Sequence, residues 1–158
     1  MSGLITHTNE LFLCPPLDLP LKFCNGKSRG HIGAKRSTKN EPLPSKATAS
    51  PGRYNRRRYH WGVDLLSTVG SPVYAAESGH VIRATKSKAG NNAIYIDHKP
   101  KGRGWMTRYK HLDETYVTKG SSKTPTVVER GEMIGTVWDH DAGAHLHFEL
   151  CRIVDNSG

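Results

Sequence analysis

Acidic side chains are scarce in this chain: 14 Asp and Glu stand against 23 Lys and Arg, for a formal net charge of +9 over 158 residues. Long hydrophobic runs are missing. No stretch of about 18 apolar residues occurs, which excludes a helical membrane span. Cysteine is rare as well, and Cys14, Cys24 and Cys151 show no Cys-x-x-Cys spacing, so a closed structural zinc site built on thiolates is excluded. A disulfide between Cys14 and Cys24 would leave an odd thiol, and reduced thiols are the expectation. No His-Glu-x-x-His motif supplies a glutamate base. Residues 1–13 lack the basic and apolar regions of a secretory signal. Apolar residues reach only 35%, while 16 glycines and 9 prolines punctuate the chain, a balance that favours short strands and turns over a helical bundle.

What is present centres on Ala144-His145-Leu146-His147-Phe148-Glu149-Leu150. Strand alternation puts His145, His147 and Glu149 on one face and Leu146, Phe148 and Leu150 on the other, so one face reads as site and the other as core. Upstream, His60 and Asp64 are a nitrogen and an oxygen donor of the types zinc takes. In a straight strand they would stand roughly 13 Å apart, so the chain must bend, and Gly62 permits the bend. A helix would also bring them together. With one histidine of the His-x-His pair they make three protein ligands and leave the fourth tetrahedral position open, the pattern of a catalytic rather than a structural zinc.

These residues and their order resemble the lysostaphin/LytM-type zinc metallopeptidases, enzymes that cut peptide cross-bridges in bacterial peptidoglycan. The resemblance runs from about Gly30 to Val154. It rests on His60-x-Gly62-x-Asp64, Gly70-Ser71-Pro72-Val73-Tyr74-Ala75-Ala76 with Gly79-His80-Val81, Gly90-Asn91-Asn92, Tyr109-Lys110-His111-Leu112, Gly131-Glu132-Met133-Ile134-Gly135 and His145-Leu146-His147-Phe148-Glu149. It implies one zinc ion held by His60, Asp64 and His147, with His111 and His145 as the catalytic pair beside it. It also implies a peptidoglycan endopeptidase acting on stem peptides or cross-bridges at the cell wall, outside the cell or in the periplasm. With no leader visible, a phage lysin, a virion-associated hydrolase or a domain of a larger secreted protein is expected. The alternative is a non-catalytic relative that binds wall or activates another hydrolase, although such relatives lose ligands and all five positions are intact here.

The expected fold is mainly β, an antiparallel sheet or sandwich of short strands with a groove bordered by long loops. Strand candidates are 72–75, 79–85, 92–98, 105–111, 131–137 and 144–151, separated by turn residues. A tail covers residues 1–13 and one domain covers 14–158, with the proline-broken segment 11–24 laid down as an edge strand or strap. Between Lys27 and Arg58 lie ten Lys or Arg and one acid, Glu41, so this segment accounts for the whole charge excess. Its centre, about 37–59, reads as a basic loop insertion beside the site, suited to anionic wall polymers or peptide carboxylates. Nucleic acid is disfavoured, because no recognition-helix or aromatic-interleaved pattern accompanies the charge. The loop at 118–126 is a second candidate border.

Trp105, Thr107, Tyr109 and His111 alternate onto one face, which directs His111 toward the His145 face unless a bulge shifts the register. Tyr109 and His140 are candidate substrate contacts, His140 because Trp138-Asp139-His140-Asp141 stands where the family usually has a glycine-rich turn. His31, His80 and His98 read as structural. Glu149 reads either as a hydrogen-bond partner behind a ligand or as a solvent-facing carboxylate.

Overall fold

The computed structural model describes residues 13–23, 60, 62–98, 104–141 and 143–152; the basic segment and the tail lie outside the described residues. Among those described there is no helix, and all regular structure is antiparallel strand. The strands are β1 (Lys22–Phe23), β2 (Val63–Leu66), β3 (Pro72–Tyr74), β4 (Gly79–Ala84), β5 (Asn92–Asp97), β6 (Trp105–Thr115), β7 (Val127–Val128), β8 (Met133–Val137) and β9 (His145–Arg152). They run in the order β1-β2-β9-β6-β5-β4-β7, and β8 pairs with both β3 and the far end of β6.

The period-2 pattern decides which way each strand faces. In β5, Ile94 and Ile96 are fully buried while Ala93, Tyr95 and Asp97 between them are half-buried. Each such aliphatic contributes on the order of 1.5–3 kcal/mol by leaving water. In β9 the core side is Leu146 and Phe148, and in β6 it is Thr107 and Tyr109, with the Tyr109 and Phe148 rings 5.4 Å apart. Val73, Ile134 and Val137, from the β3–β8 pair, close over this side.

Residues 13–23 form the expected strap. Cys14 N donates to Ala76 O, Tyr74 N donates to Pro16 O, and β1 pairs with the outer edge of β2. Cys14 and Cys151 are free thiols. Val63–Leu66 was not among the strands expected from sequence, because four residues after a bend give too short a pattern to read. The loop at 118–126 leads to β7, which pairs with β4 three strands from β9.

Candidate metal centre

Strands β2 and β9 pair so that Asp64 stands opposite His147 and Leu66 opposite His145. Directly paired residues carry their Cβ atoms about 4.5–5.5 Å apart, so the register alone delivers the carboxylate to the imidazole. His60 arrives by the bend at Gly62. That glycine has a second role. A Cβ there would stand 2.4 Å from Phe148 O, 2.8 Å from Glu149 Cγ and 3.0 Å from His147 Nε2, so its lack of a side chain is what lets the His60 segment lie against β9.

The result is a tight triangle of buried donors. His60 Nε2 lies 2.6 Å from His147 Nδ1 and 3.0 Å from Asp64 Oδ1, and His147 Nδ1 lies 2.9 Å from that same oxygen. Among the described residues this is the one group of three His, Cys, Asp or Glu side chains with ligand atoms mutually within 4.8 Å. On its far side His147 donates from Nε2 to Glu149 Oε1 at 2.8 Å, so Nδ1 is the nitrogen that meets Asp64 and that would face a cation once its proton is displaced. Two ring nitrogens and a carboxylate oxygen converging on one point is an arrangement that shared protons or a cation must neutralise. The donor set is one that zinc takes, and three ligands suit an open site.

The titration behaviour agrees. Burial works against an ionised Asp64, but the hydrogen bond from His147 and the surrounding His60 and His145 rings outweigh it and hold the carboxyl below its ordinary 3.8. Burial likewise opposes a charged His147, yet the hydrogen bonds to Asp64 and Glu149 hold it above 6.5. Glu149 is 2% exposed. Despite burial it stays well below the usual carboxylate range, because His147 and Lys110 hydrogen-bond it; Arg108 Nη1 donates to its other oxygen at 3.0 Å. Of the two readings open from sequence, the solvent-facing one is excluded: Glu149 is a buried hydrogen-bond partner of His147.

His111 and His145 stand beside the triangle. His145 Nδ1 donates to Gly143 O at 2.6 Å; a carbonyl can only accept, so the proton sits on Nδ1 and Nε2 is the basic nitrogen, 3.9 Å from Asp64 Oδ1. The His111 ring centroid lies 4.9 Å from that of His145 and 5.9 Å from that of His147. Its Nδ1 is 2.9 Å from Asn91 Oδ1, an acceptor, which again leaves Nε2 basic. Burial, then the neighbouring His145, His140 and His147 rings, push His111 down to about 3, so it is neutral at pH 7.

His111 reaches this face by an unexpected route. Lys110 pairs with His147 and Arg108 with Glu149, so Lys110 and Arg108 share the histidine face, and Tyr109, opposite Phe148, faces the core. Alternation alone would bury His111 with Tyr109. Instead β6 is bulged where Asn92 pairs with Leu112 and Ala93 with Lys110, and His111 takes φ +61°. That left-handed conformation costs roughly 1–2 kcal/mol for a non-glycine residue. The turn after β4 supports it. Asn91, itself at φ +55°, holds the ring; Trp138 N donates to His111 O; and the Trp138 indole covers Gly90, where any Cβ would collide at 2.1 Å.

The expectation that Tyr109 contacts substrate is corrected. It is fully buried, and its hydroxyl accepts hydrogen bonds from Ala76 N at 2.7 Å and Thr107 Oγ1 at 3.1 Å, so it fastens β3 to β6 beneath the site. His140 does lie at the site, its ring 4.4 Å from His111, 4.9 Å from His145 and 5.6 Å from Trp138. His98 is structural, bonded to Ser78 O and Thr107 Oγ1 and fully buried. His31 lies outside the described residues. Asn91 was not singled out individually, although it lies inside the Gly90-Asn91-Asn92 motif; a positive φ leaves no side-chain pattern to detect.

Residues 58–157 match the family model described as Peptidase family M23. The chain belongs to peptidase family M23. Within it, the chain is similar to the peptidoglycan DD-endopeptidase ShyA of Vibrio cholerae, 36% identical over 93 residues that make up 58% of this chain and 20% of ShyA. It therefore spans about a fifth of that relative's length. Among solved structures it resembles a zinc-containing peptidase from Vibrio cholerae, with TM-score 0.53, 27% identity and coverage of 87% of this chain and 35% of the other. It also resembles the catalytic domain of lysostaphin from Staphylococcus simulans, with TM-score 0.51, 27% identity and coverage of 62% and 71%. M23 membership agrees with the antiparallel, all-strand fold of the described residues and supports a peptidase.

Proposed function

We propose that this M23 domain, residues 14–158, is a zinc-dependent endopeptidase that hydrolyses peptide bonds in peptidoglycan at the bacterial cell wall. The observation that carries the reading is the buried triangle of His60 Nε2, Asp64 Oδ1 and His147 Nδ1, no side more than 3.0 Å long, with two further histidines at its rim. In this reading those three residues hold one zinc ion. When bound, zinc supplies a Lewis acid that polarises a peptide carbonyl and makes water acidic enough to react near neutrality.

The protein's own groups do the rest. His111 and His145 each have Nδ1 engaged, by Asn91 and by Gly143, so each presents Nε2 for taking a proton from water and returning one to the departing amine. His111 is neutral at pH 7, so its Nε2 lone pair is open to accept a hydrogen bond from water or substrate. His145, 6% exposed, is shielded from bulk water, which strengthens its hydrogen bonds to a charged intermediate. His140, packed against both rings, borders the same space and is positioned to contact substrate.

The test is mass spectrometry of fragments released from purified peptidoglycan by zinc-loaded protein, beside a His145→Ala variant that keeps the three ligands. New peptide amino termini from the native protein alone are expected, with the variant at least about a hundredfold slower. Absence of release from both Gram-negative and Gram-positive walls, with zinc bound, would refute hydrolysis and favour a wall-binding role.

A further inference from the structure

The face that carries the metal ligands continues away from them as an ordered row of side chains. Glu149 on β9 pairs with Arg108 on β6, Arg108 with Tyr95 on β5, and Tyr95 with Arg83 on β4. Arg108 and Arg83 each bring the guanidinium carbon 5.1 Å from the Tyr95 ring centroid. Cation–π contact at that distance is attractive and orients a guanidinium without using its N–H groups. At one end of the row Arg108 spends Nη1 on Glu149, and Lys110 in the adjoining row binds the same carboxylate. At the other end Arg83 is exposed, stacked on Tyr95, and makes no hydrogen bond or ion pair with any described residue. The row beyond carries His80 paired with Asp97, so the cationic strip is confined between that row and the ligands.

We propose that Arg83, held by Tyr95, is a specificity-determining residue that binds a free carboxylate of the peptide substrate. This rests on the endopeptidase reading above. Adjacent strands lie about 4.8 Å apart, so a guanidinium above β5 stands roughly 10 Å across from β9. At ~3.3 Å per residue its row lies about 7 Å along the strand from His147 and about 13 Å from His145, roughly 12–17 Å in all, the reach of about four to five residues of extended peptide. A substrate lying obliquely across the sheet with its scissile bond at the histidines thus brings a side-chain or terminal carboxylate, about four to five residues away, onto the stacked guanidinium. The planar fork takes a carboxylate through two parallel N–H donors. Arg108, with Nη1 committed to Glu149, is the brace of this arrangement; its Nε is buried without a hydrogen-bond partner.

The experiment compares purified peptidoglycan with the same material after its carboxylates are converted to amides by carbodiimide and ammonia. Native, Arg83→Ala and Arg83→Glu proteins, each zinc-loaded and matched for zinc content and thermal stability, are assayed for release of amino termini and for co-sedimentation. Native protein is expected to half-saturate at roughly five- to tenfold lower concentration on untreated than on amidated wall. Both variants lose that preference, through half-saturation rather than maximal rate, and match native on amidated wall. Equal behaviour of native and variants on untreated wall, or equal losses on both substrates, overturns the proposal. If native protein sediments with untreated wall in preference to amidated wall but releases nothing, and Arg83→Glu abolishes the preference, the carboxylate site stands and the hydrolytic reading falls.

Discussion

Replacing Glu149 by Gln should weaken zinc binding without emptying the site of any ligand. The carboxylate is 2% exposed and accepts from His147 Nε2, Lys110 and Arg108. An amide of the same shape cannot serve all three donors. If its oxygen takes the Oε2 place beside Arg108, its NH2 group faces both Lys110 and His147 Nε2, and the ring must carry its proton on Nδ1, the atom that meets Asp64 and His60. If its oxygen takes the Oε1 place and keeps His147 and Lys110, the NH2 group confronts Arg108 Nη1, and a neutral amide oxygen holds the ring proton less strongly than a carboxylate does. Losing such a partner behind a metal ligand typically costs 10–100-fold in affinity, about 1.4–2.8 kcal/mol at 1.4 kcal/mol per tenfold. Apo-protein stability should fall too, by about 1–2 kcal/mol. That is below the 3–5 kcal/mol of a fully buried broken pair, because the Lys110 side chain is 32% exposed and solvent screens it. The assay is competition for zinc with a chromogenic chelator, alongside thermal unfolding of the apo-protein. Zinc affinity within twofold of native in Glu149→Gln would refute the argument that this carboxylate sets the His147 proton.

Gly62→Ala should destabilise by about 2–3 kcal/mol, the upper end for overpacking, because the new methyl meets the Phe148 carbonyl at 2.4 Å rather than a yielding side chain; urea unfolding checks this, and a wild-type midpoint would mean the His60 segment is free to lift away. Asn91→Ala should lower kcat about tenfold on wall peptides, since His111 loses the acceptor that keeps its proton on Nδ1, while zinc content stays unchanged; a variant with unaltered turnover sinks this role. The apo-protein should be most stable near pH 6.5, because His111, pushed down to about 3 in the fold, costs stability as pH falls below 6.5 and the unfolded ring takes up a proton that the folded one refuses. His147, raised above 6.5, contributes stability that is full below that value and is lost as pH climbs through its folded pKa; Glu149 and Asp64, lowered from 4.5 and 3.8, contribute stability present above those values and lost as pH falls through their folded ones. Zinc competes for the His147 proton, so affinity should rise with pH, and a melting-temperature series with and without zinc that shows no divergence would contradict it.

Much of the site was readable because a strand's period is two. His145, His147 and Glu149 fall on one face and Leu146 on the other, as the alternation requires. The bend at Gly62 was readable too, but its crowding against β9 was not, since contact with a strand some 85 residues later leaves no local trace. Tyr109 misled for a related reason: Thr107 shares its face as expected, but that face is the core one and His111 does not share it. A single bulge after Lys110 separates the orientation of Tyr109 from that of His111, and side-chain identities do not encode where a bulge falls. The basic segment at 27–58 lies outside the described residues, so its part as a groove border stays an expectation.

The left-handed twist at His111 has a further consequence for how members of this lineage gain and lose chemistry. A catalytic residue is usually traced by its letter in an alignment, yet here the letter is not what delivers the ring. Without that φ, strand alternation would turn His111 inward beside Tyr109, with His60, Asp64 and His147 unchanged and every motif still spelled correctly. Divergence can therefore silence such an enzyme through the Gly90–Asn91 turn or the Trp138 indole that stabilise the kink, with no substitution among the five histidine and aspartate positions. Inactive descendants that look complete by sequence are to be sought in that turn.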